Sequence, residues 1–149
     1  MVQVLLLALV VNLRINNMAH YLYSKKELPE GFKYPLSFLE IVSKKDVLDL
    51  EPWWFLYEFE DFAKHWLFEI KKQYPTRKLI PFAKASNNDN IVCFDGSDIS
   101  GNPKVYFVHT FATPGWEDRG SVYSFDEWLR QAKEESAQYR AGRAKLDKV

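Results

Sequence analysis

The feature that most constrains this chain is a change of hydrophobic period at Pro75. Between about residues 58 and 73, Phe59, Phe62, Ala63, Trp66, Leu67 and Ile70 recur at the spacing of one buried helical stripe. Glu58, Glu60 and Asp61 crowd the start of that stretch and Lys71 and Lys72 its end, which complements the helix dipole. Proline lacks an N–H and clashes with the turn before it, so Pro75 stops the helix. Past it the apolar residues come in short extended runs. Leu79-Ile80-Pro81-Phe82 reads as an edge strand, because Pro81 cannot donate to a ladder. Ile91-Val92-Cys93-Phe94 is apolar on both faces, as a central strand is. Residues 104–110 put Val105, Phe107 and His109 on one face and Tyr106, Val108 and Thr110 on the other. The connection from Gly96 to Pro103 is rich in turn residues, so antiparallel pairing across it is the simplest arrangement.

The flanks complete the outline. Lys25 to Gly31 reads as a polar turn, and Pro35 opens a short helix to about Lys45. The stretch from Pro52 to Tyr57 is helical by continuity yet strand-like by composition. Ser124 followed by Glu127 forms a capping-box pattern ahead of Phe125, Trp128, Leu129 and Ala132, with Arg140 and Arg143 near Gly142 as the expected ending. The two helical stripes imply that Trp66 and Trp128 are both buried. No repeat or flexible linker divides the chain, so a single α+β domain is expected. Its sheet is mainly antiparallel or mixed, with helices packed on one side and a C-terminal helix.

Residues 2–11 are apolar except for Gln3, too short a run to span a bilayer. A secretory signal places positive charge before such a run, whereas Arg14 follows it. We therefore take residues 1–17 as an apolar extension and residues 18–149, starting at Met18-Ala19, as the domain. Lysine plus arginine equals aspartate plus glutamate, 20 each, which argues against a generic binder of nucleic acid or anionic membranes. Cys93 is the one cysteine, so neither an intrachain disulfide nor a cysteine-based zinc site can form. That suits a reducing compartment, and a cytoplasmic location is expected.

No catalytic constellation emerges. Cys93 and His109 could be a thiol and its base on neighbouring strands, but no third group orients them. His20, His65 and His109 lack ligand spacing. The oxygen-rich stretches Asn87-Asn88-Asp89-Asn90 and Asp95-Gly96-Ser97-Asp98 lack the glutamate a calcium loop needs at its twelfth position, and read as turns. Glu51, Glu58, Glu60 and Asp61 are explained by a helix start without acid–base chemistry. The expectation is a binding protein, not an enzyme, with no cofactor or metal. Tryptophan and tyrosine are favoured interface anchors, and the aromatic content exceeds what a minimal core needs. The best surface candidate is the Pro114-Gly115 turn, with Trp116 as an aromatic anchor beside Glu117 and Asp118. Asp89, Asp95 and Asp98 in the neighbouring turns would add acceptors for a cationic partner. The competing expectation is that Phe111 and Trp116 fold back over a sheet edge.

Four short motifs occur in order: Leu79-Ile80-Pro81-Phe82-Ala83, Asn90-Ile91-Val92-Cys93-Phe94-Asp95, Pro103-Lys104-Val105-Tyr106 and Ser124-Phe125-Asp126-Glu127-Trp128-Leu129. In this order the C-terminal half resembles the SUKH superfamily of bacterial immunity proteins and fungal cell-wall-assembly regulators. Asn87-Asn88-Asp89 stands where members often carry glycine, and the N-terminal half matches only in being helical and aromatic. The resemblance implies a non-enzymatic fold that neutralises a protein toxin, such as a nuclease, by occluding it. The alternative it implies is a regulatory or scaffold interaction domain.

Overall fold

The computed structural model describes residues 20–147. The apolar run at residues 2–11 and the expected start at Met18 lie outside them. The described chain runs α1 (Leu36–Ser43), β1 (Trp53–Phe55), a single 3-10 turn (Leu56–Glu58), α2 (Glu60–Gln73), β2 (Leu79–Ala85), β3 (Asn90–Asp95), β4 (Val105–His109), β5 (Asp118–Val122) and α3 (Phe125–Asp147). The five strands form one sheet in the order β1-β2-β3-β4-β5, each antiparallel to its neighbours. This is the α+β single domain expected. Composition decided correctly at Trp53–Phe55, which is a strand.

The helices divide between the faces of the sheet. On one face Phe82 and Phe94 stack at 4.2 Å, and Phe38 of α1 and Phe125 and Trp128 of α3 close around them. On the other face the register aligns Trp54, Lys84, Ile91 and Val108, and α2 packs there, with Phe62 against Trp54 and Trp66 under the Lys84 ammonium. Only α1 and α3 therefore share a side.

Four local expectations change. First, β2 is interior, not an edge. Pro81 is tolerated because β1 reaches only Ala83–Ala85, leaving Pro81 beyond the end of that ladder and beside a register shift. Its carbonyl accepts the Tyr23 hydroxyl at 2.7 Å, so the side on which it lacks an N–H is one where no strand asks for it. Second, β5 is a strand that the pattern did not reveal. Its residues are largely exposed and include Gly120 at φ 107, so no alternation marks it. Third, α2 buries Ala63, Leu67 and Ile70, whereas Phe59 and Phe62 are exposed and Trp66 is half-buried. The three-residue β1 is too short to cover that flank. Fourth, α3 passes through Gly142 to Asp147. Nothing beyond Ser136 is buried, but Arg140 and Arg143 reach Asp49 and Glu51, each at 2.6 Å, and tie this end to the segment before β1. At its start Ser124 Oγ accepts the Glu127 N–H at 3.2 Å, as the capping pattern requires, while the Glu127 carboxylate turns to Arg130.

Candidate protein-binding surface

The loop joining β4 to β5 is built to stay in one shape. Thr110 donates from both its N–H and its hydroxyl to the Asp89 carbonyl, at 2.9 and 2.8 Å. The Tyr74 hydroxyl, from the end of α2, bridges the His109 and Ala112 carbonyls and accepts the Ala112 N–H. Phe111 has φ 63, a left-handed backbone that a bulky residue adopts only when its surroundings impose it. The imposing contact is Gln73 Oε1, which accepts the Phe111 N–H at 2.6 Å. Its ring is left 67% exposed.

The tip is a Pro-Gly turn closed by the Trp116 N–H on the Thr113 carbonyl at 2.9 Å, with Gly115 at φ 100. Positive φ at the third position of such a turn is the reason glycine stands there. Glu117 fixes the turn from inside: one carboxylate oxygen accepts the Gly115 N–H at 2.7 Å and the other meets Arg77 at 2.9 Å. Arg77 in turn lies over the Tyr106 ring. Trp116 is thereby held outward, 74% exposed, and does not fold back over the sheet edge.

The six residues expected at a partner surface do not form one patch. Trp116, Asp118 and Asp89 lie at the end of the sheet where the β2–β3 turn meets the β4–β5 loop. Glu117 belongs to the same loop but is only 6% exposed, so its carboxylate is committed within the fold. Asp95 and Asp98 sit at the opposite end, where Asp95 pairs with Leu79. Their side chains close Asx turns onto Ser97 and Ser100, and the Ser100 bonds hold the Asp98 carboxyl below its ordinary range.

The remaining candidates are structural. Cys93 pairs with Tyr106 and His109 with Asn90, positions on opposite faces of the sheet, so the thiol and the imidazole do not meet. Burial pushes the Cys93 thiol well above the usual thiol range, which disfavours the reactive thiolate. Cys93→Ser is expected to lower stability by about 1–2 kcal/mol through its buried hydroxyl, and to leave partner binding unchanged. A folded Cys93→Ser protein that no longer bound its partner would return the thiol to consideration. Of the acids, Glu51 is paired with Arg143 and Glu60 with Lys64. Among the described residues no His, Cys, Asp and Glu group is placed to hold a metal ion, and no helix is long and apolar enough to cross a membrane.

Sequence reasoning missed the exposed aromatic flank of α2 and the buried Lys84. Lys84 donates to the Ala85 and Asn88 carbonyls at 2.9 and 2.8 Å, and burial lowers its pKa. A lone charge in an apolar strand was the available signal. For the flank it was an apolar stripe wider than a short sheet covers.

Compared with known proteins, residues 18–131 match the SMI1 / KNR4 family (SUKH-1). No curated protein and no solved structure matches the chain.

Proposed function

Because this chain belongs to the SMI1 / KNR4 family (SUKH-1), we propose that it is a non-enzymatic protein-binding domain, an immunity protein that neutralises a protein toxin by occluding it. The observation that carries this reading is Trp116, a large ring held in solvent by a turn whose every tie is internal. Ordering a flexible side chain and loop on binding costs free energy, and a loop already fixed by Gln73, Tyr74 and Glu117 has little left to lose. Tryptophan in such a position is the typical anchor of an interface. Asp89 and Asp118 beside it supply exposed acceptors, the complement of a cationic groove such as a nuclease presents to its substrate.

Co-purification from the native host, with identification of the retained protein and a growth-protection assay against it, tests the reading. A retained protein that is not toxic would move the chain to a regulatory or scaffold role. Within the complex, Trp116→Ala is expected to leave the melting temperature unchanged and weaken binding by about 2 kcal/mol. Calorimetric titration of the folded variant decides it, and unchanged affinity would remove this loop from the interface.

A further inference from the structure

We propose that the outer flank of α2, from Phe59 through Phe62 and Trp66 to Phe111, with Trp54 behind it, is a docking surface for a cationic face of the partner protein. The rings form two touching groups that helical spacing sets side by side. Phe59 lies 5.8 Å from Phe62, Phe62 lies 5.5 Å from Trp54, and Trp66 lies 6.3 Å from Phe111. Phe62 and Trp66 are four residues apart on one helix, hence neighbours on its surface. Phe59, Phe62 and Phe111 are exposed, and a monomer seldom leaves so many contiguous aromatic rings in water without a use for them.

Charge selects the occupant. The lysines of α2 that pack on its neighbours lie on the opposite flank: Lys64 sits over the Tyr21 ring and Lys71 donates to the Glu27 carbonyl. Lys84 touches the patch, but its ammonium is buried and bound to two carbonyls. The rest of the border carries His65, edge-on to Trp66 at 5.1 Å, and the exposed Lys72, together with carboxylates that adjoin the rings. Helical spacing places Glu69 beside Trp66 and Gln73, and the Gln73 amide donates to it. Next to Phe59, Glu58 lines a cavity of about 300 Å³ with Trp54, Asp49 and Glu51. Asp49 and Glu51 already hold Arg140 and Arg143, whereas Glu58 has no ion pair among the described residues. Exposed aromatic faces attract arginine and lysine, and the surrounding carboxylates reinforce that attraction. An acidic partner face would meet both rings and like charge.

The inference takes from the preceding reading only that the partner is a protein. Its test uses the full chain with nitrogen-15-labelled tryptophan and two peptides of equal length, one alternating Arg and Leu, the other Glu and Leu. The Arg/Leu peptide is expected to shift the indole resonances of Trp54 and Trp66 but not that of buried Trp128, and to bind more weakly as salt rises. Phe62→Ser should weaken that binding about tenfold and Phe62→Lys further still, with unchanged circular dichroism, since this ring is exposed. Equal binding of both peptides, indole shifts that leave Trp54 and Trp66 unmoved, no binding, or indifference to Phe62 substitution would each overturn the proposal. So would self-association in the ultracentrifuge that Phe62→Lys abolishes, because the occupant would then be a second copy. The two readings fail separately. A toxin that binds Phe62→Lys as tightly as the wild type leaves the immunity role standing and removes this surface. Peptide binding as expected, without any toxic partner, does the reverse.

Discussion

Trp128→Ala is expected to lower the unfolding free energy by about 4 kcal/mol, and Trp66→Ala by no more than about 2 kcal/mol. Both tryptophans stand on helical apolar stripes that look alike in sequence, and the difference comes from what each stripe meets. Trp128 is 1% exposed and touches four aromatic rings, those of Trp53, Phe55, Phe82 and Phe125. Those neighbours belong to β1, β2 and α3 itself, so the ring joins the last helix to the first two strands. Truncation leaves a cavity that the hydrogen-bonded sheet beneath cannot collapse to fill, which is where the large cost arises. Trp66 is half-buried at the rim of α2, with Phe111 and Lys84 beside it, and water can enter the space its ring vacates. Urea denaturation of both variants checks the contrast. Equal midpoint shifts would mean that the flank of α2 is packed as tightly as the centre, contradicting the exposure of Phe59 and Phe62.

The same contrast explains what the sequence made legible. Elements whose pattern is enforced by burial could be read: β3 is apolar on both faces because it is the middle strand, and Pro75 ends α2 next to Tyr74. Elements held by tertiary partners could not. β5 is exposed and exists because β4 offers it a ladder from Val105 to Val108. The last turns of α3 owe their place to Asp49 and Glu51, nearly a hundred positions earlier, which no local pattern around Gly142 reveals. The same limit governed the candidate site. Trp116 was visible because a Pro-Gly turn lies at the surface. The commitment of Glu117 to Arg77, forty residues away, was not. Apolar spacing places Phe59 and Phe62 on the same helical face as the core residues, and only the extent of the sheet decides how much of that face is covered.

Gly96→Ala is expected to destabilise the fold by about 3 kcal/mol, although adding a methyl group at a glycine usually helps by restricting the unfolded chain. Gly96 follows the last residue of β3, and its N–H donates to the Lys78 carbonyl at 2.6 Å, closing the sheet at the start of β2. A Cβ there would lie 2.6 Å from that same carbonyl oxygen and 2.9 Å from Pro29 Cγ. The oxygen is backbone and proline is rigid, so neither neighbour can swing aside. Relief requires the β3–β4 loop to move off β2 or the segment around Pro29 to lift, and either movement breaks the hydrogen bond. Gly142→Ala is the natural control. It lies inside α3 with nothing within 4 Å of the added carbon, so it should stabilise by about 0.5–1 kcal/mol through helix propensity. Gly101→Ala separates the remaining cause, since it meets open space but has φ +87 and should cost about 1 kcal/mol from backbone strain alone. Thermal unfolding of the three variants therefore ranks Gly142→Ala above the wild type, Gly101→Ala below it and Gly96→Ala lowest. If Gly96→Ala matched Gly101→Ala, the Lys78 carbonyl would be free to retreat, and the close approach would not be what fixes this end of the sheet.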